Sequence, residues 1–261
     1  MKVLLYAQNY SPRLQYICTF IFKEVMGVEC TVTCDLEEFK SYNSVRINYS
    51  NSPICENEFY ILPVDLLFQN NIVPQRVECF KINNHQAFFK IDHADFSFDI
   101  FAASFYLLSR YEEYLPHKKD IYGRYAHENS LAFKEGFLHL PLINIWAKNF
   151  VAALQNKFPS FIFIQHAFRF IPTYDIDIAF SYKHKGLWRN AVGFLKSPSL
   201  ERIMVVCGWC KDPFDTYDWM DTLHKKFQLN PIYFFLVAAQ NRVYDKNILP
   251  TNKVMWQLVK K

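Results

Sequence analysis

Apolar residues recur along the chain with two periods, one typical of strands and the other of helices. Runs that alternate or are continuously apolar predict strands, which in the first half cover Lys2–Ala7, Glu29–Cys34, Ser44–Tyr49 and Phe59–Pro63. Helical recurrence predicts helices over Leu14–Met26, Phe98–Tyr114 and Pro141–Phe158. Residues 83–85 (Asn-Asn-His) separate two further strand-like runs, Cys79–Ile82 and Gln86–Ile91, and predict a hairpin. Residues 1–160 are therefore predicted to form a mixed α/β domain.

A predicted domain boundary at Pro159-Ser160 separates this domain from residues 161–261. The predicted elements beyond it are strands at Phe161–Ile164, Phe168–Asp177 and Pro231–Val237, and helices at Asp215–Phe227 and Asn252–Lys261. The third strand is continuously apolar from Ile232 to Val237, which is typical of a parallel strand covered on both faces. The order strand, connection, helix, strand, helix predicts the opening of an α/β layer or barrel.

Composition excludes several classes of protein. The 6 glycines include no GxGxxG or P-loop spacing, which argues against a phosphate-cradling nucleotide fold. The net charge of +4 is dispersed, so no basic stripe for nucleic acid is expected. No uninterrupted apolar run reaches the length of a membrane span, and the N-terminus does not have the pattern of a signal peptide. Seven cysteines without regular spacing are typical of a reducing compartment, so we expect a cytoplasmic protein.

Two aspartates at the end of the strand Phe168–Asp177 are the main candidate for chemistry. Asp175 and Asp177 are two residues apart, so a strand would place both side chains on the same face. Neighbouring carboxylates repel each other unless a cation or a shared proton relieves the repulsion. The pattern therefore favours a metal site or an acid/base pair. The alternative is that Lys183, Lys185 or backbone amides neutralise the two carboxylates.

Three groups of segments carry a resemblance to a known family. Residues 173–177 (Thr-Tyr-Asp-Ile-Asp) resemble the first motif of the polysaccharide deacetylase (NodB-type) family, usually Thr-Phe-Asp-Asp. Residues 212–219 and 231–236 are similar to a bacterial branch in which an additional N-terminal domain of unknown role precedes the deacetylase domain. Residues 108–114, together with Gly123-Arg124 and 136–138, resemble that N-terminal domain.

This resemblance implies an N-terminal mixed α/β domain followed by the first part of a distorted (β/α) deacetylase barrel. The implied activity is metal-dependent hydrolysis of acetyl groups on a carbohydrate substrate, with a divalent metal, often zinc, as cofactor. Asp175 matches the catalytic base of the family. Ile176 stands where the family has its metal-binding aspartate, so Asp177 is the nearest replacement as a metal ligand. His184, in the loop after the strand, is the other candidate metal ligand.

The chain also departs from the family pattern. No His-x-x-x-His follows Asp177, since His184 and His224 are the only later histidines. The resemblance thus implies that the chain stops before the histidine motif and is inactive alone. The competing hypothesis is a non-catalytic glycan- or partner-binding module. Cys207 and Cys210 have CxxC spacing, but their context favours structural thiols over a redox pair.

Overall fold

The computed structural model describes residues 2–163, 167–236, 247–248 and 251–260. It divides into two compact units, Met1–His166 (unit 1) and Ala167–Lys261 (unit 2). Both units combine helices and strands, so the protein has a mixed α/β architecture. None of the helices in the described ranges has the length and apolar character that crossing a membrane requires.

Unit 1 contains six strands and five α-helices within its described residues. The strands are β1 Lys2–Ala7, β2 Glu29–Thr33, β3 Arg46–Tyr49, β4 Phe59–Ile61, β5 Phe80–Ile82 and β6 His85–Ala87. The helices are α1 Pro12–Cys18, α2 Leu36–Ser41, α3 Ile100–Leu108, α4 Leu131–Lys134 and α5 Leu142–Lys157. Alpha-helix α1 continues into a π-helical segment at Thr19–Val25, and 3-10 turns lie at Asp65–Leu67, Tyr111–Tyr114 and His127–Asn129.

A four-stranded parallel sheet in the order β2-β1-β3-β4 forms the centre of unit 1. Its buried side chains Val3, Leu5 and Ala7 share one cluster with apolar residues of α1, α3 and α5. Tyr6 lies on the opposite face of β1 and packs against Phe39 of α2, with 5.3 Å between the ring centroids. Burial on both faces explains why β1 reads as a nearly continuous apolar run.

The hairpin β5–β6 forms at the predicted place, although each strand is shorter than its apolar run. Its two-residue turn is Asn83-Asn84, and both residues have positive φ, 49° and 65°. Asparagine tolerates this left-handed conformation better than most residues, which is why the pair is typical of hairpins. The isolated segment is short, so its stability depends on packing, to which Ala87 contributes as part of the main core.

A buried carboxylate organises the start of α3. Asp99 is fully buried and caps the helix by accepting a hydrogen bond from the Ala102 amide at 2.9 Å. It also accepts from the Tyr49 hydroxyl at 2.6 Å and from the Val64 amide at 2.8 Å. Burial raises the pKa of Asp99 to about 6, against the opposing effect of these hydrogen bonds. Asp99 therefore ties β3, the segment after β4 and α3 together.

Helix α3 is shorter than the predicted helix over Phe98–Tyr114. Arg110 adopts a left-handed conformation, φ 51°, which ends the α-helix before the 3-10 turn Tyr111–Tyr114. The predicted helix over Pro141–Phe158 corresponds closely to α5. Trp146 and Leu154 are buried on its inner face.

Unit 2 contains a two-stranded parallel sheet and four helices within its described residues. The elements are β7 Thr173–Ile176, α6 Leu187–Lys196, α7 Leu200–Val206, α8 Tyr217–Lys226, β8 Ile232–Phe235 and α9 Lys253–Lys260. A small cluster that includes Tyr217 of α8 and Met255 of α9 packs with Ile176 and Phe235. Helices α8 and α9 thus cover one face of the strand pair.

Three sequence predictions for residues 161–261 need correction. Residues 161–163 form no strand, and residue 164 of that predicted strand lies outside the described residues. The predicted strand Phe168–Asp177 is reduced to β7; Phe168 is 92% exposed and belongs to no strand among the described residues. Strand β8 is parallel as predicted, and Val237 of the predicted strand lies outside the described residues. The predicted cover on both faces is wrong, since Ile232 and Phe234 are 47% and 55% exposed.

Candidate functional site

Among the described helices, α8 and α9 cover one face of the strand pair β7–β8, and none covers the other face, where the side chains are exposed. Tyr174 and Ile176 are half-buried on the helix-covered face, whereas Thr173 and Asp175 are exposed on the other. In the parallel register Asp175 lies opposite Phe234, which is also exposed. Asp175 is therefore on the helix-free face, one residue before the carboxyl end of its strand.

The other two predicted site residues, Asp177 and His184, lie in the segment after β7. Asp177 is exposed, with half-buried Ile176 between it and Asp175, as strand alternation requires. His184 is exposed in the next loop, where it has φ 61° and its ring contacts the edge of Phe180 at 4.9 Å between centroids. Within the described residues, neither aspartate forms an ion pair with Lys183 or Lys185.

The described residues do not assemble a complete metal site. No group of three or more His, Cys, Asp and Glu side chains in this part of the chain is placed to hold one ion. Catalytic zinc sites take three protein ligands. Asp177 and His184 could supply two of them, so a zinc site at this strand end would require a further ligand.

An asparagine joins the carboxyl ends of the two strands. The Asn247 side chain is buried and donates to the carbonyl oxygen of Leu236 at 3.2 Å and, more weakly, to that of Ile176 at 3.5 Å. Its Oδ1 accepts from the amides of Ala179 at 3.0 Å and Ile248 at 2.9 Å. Satisfied buried polar groups of this kind fix backbone position. Asn247 therefore holds the strand end that carries Asp177.

A buried aspartate holds the loop that leads to His184. Asp212 accepts hydrogen bonds from the amides of Ser181 and Tyr182 at 2.8 Å, Lys183 at 2.9 Å and Phe214 at 3.0 Å. Burial alone would raise the pKa of Asp212, but the four N–H donors outweigh it and hold the pKa below the ordinary value. The carboxylate is thus charged at neutral pH and fixes the backbone just before His184.

We expect removal of this carboxylate to loosen the loop. Asp212→Ala leaves three loop amides without their acceptor, at a cost of about 2 kcal/mol in the free energy of opening the loop. Hydrogen exchange of the peptide containing residues 181–183 should therefore become faster by about 30-fold at pH 7. Asp212→Asn, which retains one acceptor oxygen without the charge, should give a smaller increase.

The sign of the pH dependence follows from the lowered pKa of Asp212. Its contribution is fully present above the ordinary carboxyl pKa and is lost as the pH falls through the lower pKa of the folded state. After correction for intrinsic exchange, the difference between the wild type and Asp212→Asn should therefore shrink under acidic conditions. Equal protection of residues 181–183 in all three proteins at pH 7 would show that Asp212 does not hold this loop.

The helix-covered side of β7 is also anchored. The hydroxyl of Tyr174 and Nε2 of His224, on α8, are 2.8 Å apart in a hydrogen bond. The Tyr174 ring stacks on that of Tyr233 in β8, with 5.1 Å between centroids. Alternate residues of one short strand thus have different roles. Tyr174 and Ile176 fix the strand, and Thr173 and Asp175 face outward.

Sequence reasoning missed both polar residues that fix this region. Asp212 had a local signal, because it precedes a proline and accepts from the amide two residues ahead, as in an Asx-turn. Its three loop partners, however, lie 29 to 31 residues away in sequence. Asn247 had no such signal, since its strand and loop partners lie up to 71 residues away.

These features define a two-unit α/β protein with a carboxylate exposed at a fixed strand end. The chain belongs to the DUF7033 family, a family of unknown function, whose model matches residues 3–159. No curated protein and no solved structure matches the chain. The matched segment lies within unit 1, whereas Asp175, Asp177 and His184 follow its last residue.

Proposed function

We propose that this protein is a polysaccharide deacetylase-like hydrolase that removes acetyl groups from a carbohydrate. In this proposal unit 2 is the first part of a distorted (β/α) barrel. Asp175 is the general base, and Asp177 and His184 are ligands of a divalent metal, zinc by preference. The single observation that supports it most is the position of Asp175 on the helix-free face of a parallel strand pair.

The two faces of such a strand pair have different surroundings in a barrel. In a (β/α) barrel the helices cover the outside, so the helix-free face of each strand lines the interior, with catalytic groups at the carboxyl ends. Thr173, Asp175, Ile232 and Phe234 all lie on that face of β7–β8. Two of these four side chains are large and apolar, which suits a face that a larger barrel would cover.

Hydrolysis of an acetyl group needs a base for the proton of the attacking water. A carboxylate that lies outside a protein core and forms no ion pair in the described residues can accept such a proton. A bound divalent metal would supply activation of the water and polarisation of the acetyl carbonyl. Because Asp177 and His184 are only two donors, the proposal includes a third ligand beyond them.

The direct test is acetate release from acetylated oligosaccharides by the full-length gene product. We expect release that a chelator abolishes and that zinc restores. Metal content measured by mass spectrometry should fall in Asp177→Ala and should remain at the wild-type level in Asp218→Ala, an exposed aspartate on α8. Absence of metal-dependent acetate release would refute the proposal, and equal metal content in Asp177→Ala would exclude Asp177 as a ligand.

A second candidate function is non-catalytic glycan binding. Unit 2 exposes several tryptophan side chains, and exposed aromatic rings of this kind stack on sugars. They are Trp188, Trp209, Trp219 and Trp256. Saturable binding of an oligosaccharide without any acetate release would favour this candidate over the hydrolase.

A further inference from the structure

A cationic cleft lies in unit 2, in the segment that follows the predicted site. Its volume is about 560 Å³, within the range of small-molecule sites. The loop after β7 forms one wall, and helices α6 and α7 form the others. The residues that give the cleft its chemistry are Tyr182, Lys185, Trp188, Arg189, Lys196 and Arg202. Among the described residues that line it, none is an aspartate or glutamate.

The guanidinium of Arg202 is seated in a prepared position. It lies over the ring of Tyr182, 5.1 Å from the centroid. It also approaches the backbone of Gly193 so closely that a Cβ at that position would lie 2.9 Å from Cζ. Glycine inside a helix costs about 1 kcal/mol relative to alanine. Gly193 therefore leaves space that the guanidinium occupies.

Arg202 also retains hydrogen-bonding capacity. Its Nη1 donates to the Asn190 carbonyl oxygen at 3.4 Å. Its Nε–H is buried and has no acceptor within the described residues. A buried donor without an acceptor is unfavourable unless a ligand or water completes it. The planar guanidinium suits bidentate binding of a carboxylate or phosphate.

Hydrogen bonds fix the positions of the loop and the helix that form the cleft. The Asn190 amide donates to the Tyr182 carbonyl oxygen at 2.9 Å and to that of Gly186 at 3.1 Å, which joins α6 to the loop. Asp212 also fixes Tyr182, because it accepts a hydrogen bond from the Tyr182 amide. Trp188, in the first turn of α6, is 82% exposed and offers an unobstructed ring for stacking.

We propose that this cleft binds an anionic saccharide, in which a sugar carboxylate or phosphate pairs with Arg202 and a sugar ring stacks on Trp188. The positive charge of Arg189 and Lys196 favours anionic over neutral glycans. The choice of a sugar rests on the proposed function, whereas the choice of an anion rests on the cleft alone. The expected substrate is thus a negatively charged saccharide.

The test is calorimetric titration of the full chain with tetragalacturonate, and with its carboxyl-reduced, neutral counterpart. We expect the acidic form to bind at least about tenfold more tightly. Arg202→Gln should weaken its binding by about tenfold or more. Gly193→Ala should do the same while preserving helical content, because the new Cβ displaces the guanidinium. Lys225→Ala, an exposed cation on α8, should change the dissociation constant by less than about twofold.

Three outcomes would overturn the inference. They are equal binding of the acidic and neutral saccharides, unchanged binding in both Gly193→Ala and Arg202→Gln, and tighter binding of a single-stranded RNA of equal charge than of tetragalacturonate. If Arg202→Gln fails to fold, Gly193→Ala and Arg189→Ala, each of which should weaken binding of the acidic form, decide the matter. Acidic-sugar binding without acetate release would leave the inference standing and count against the hydrolase. Acetate release without preference for acidic sugars would refute the anionic-saccharide cleft and support the hydrolase.

Discussion

Asp175→Asn should lower kcat for acetate release by about 10²- to 10⁴-fold in the full-length gene product. This corresponds to about 3 to 5 kcal/mol in the activation free energy. Asparagine has nearly the shape of aspartate but cannot accept a proton, so the substitution removes the proposed base and little else. The side chain is exposed, and none of the ion pairs among the described residues involves it, so the fold should be unaffected.

Two matched variants separate the roles of the neighbouring groups. Asp177→Asn should lower metal content and activity together, whereas Asp175→Asn should retain its metal. Thr173→Ala, which changes the exposed residue two positions earlier on the same face, should retain activity within about tenfold. If Asp175→Asn loses metal and activity together and Asp177→Asn loses activity without losing metal, the two aspartates have the opposite roles. Wild-type kcat in Asp175→Asn would exclude Asp175 from both roles.

Much of unit 1 could be predicted because its strands and helices are encoded locally. The alternation or continuity of apolar residues located β1 to β4, and the Asn83-Asn84 pair located the hairpin turn. The same rules failed at residues 161–163. Phe161 is buried and Phe163 packs against the core, yet neither belongs to a strand. Apolar β-forming residues indicate burial there, but strand formation also needs a hydrogen-bonding partner, which local sequence does not specify.

The candidate site was only partly predictable for a similar reason. The spacing of Asp175 and Asp177 predicted two side chains on one face of a strand. Both residues are exposed, but β7 ends just before Asp177, so only Asp175 belongs to the strand. The side of the sheet that helices cover depends on α8 and α9, more than 40 residues further along the chain. Helix α6 was missed altogether, because it begins after Gly186 and contains Gly193 in its interior. That second glycine, unfavourable for the helix, is explained by the guanidinium of Arg202.

Phe150→Ala should destabilise unit 1 by about 3 to 5 kcal/mol. Phe150 lies on α5 and is fully buried where four other segments of the chain meet. Its ring contacts those of Phe22, Phe59, Phe96 and Phe101 at centroid distances of 5.3 to 6.1 Å, all in edge-to-face geometry. Truncation leaves a cavity that the four aromatic rings cannot fill by small movements, since Phe22, Phe59 and Phe101 belong to a helix or the sheet and Phe96 is itself packed in the core.

The melting temperature of unit 1 should consequently fall by about 10 °C, because about 1 kcal/mol corresponds to 2–4 °C in a domain of this size. Phe150→Leu, which retains most of the volume, should cost about 1 kcal/mol. Ile121→Ala, at an exposed position, should cost less than about 0.5 kcal/mol. Differential scanning calorimetry measures all three. A Phe150→Ala protein that melts within 2 °C of the wild type, as a rough limit, would mean that the sheet and α5 do not share one core. In that case the contacts of the Phe150 ring with Phe59 of β4 and Phe101 of α3 would not hold the sheet and the helices of unit 1 together.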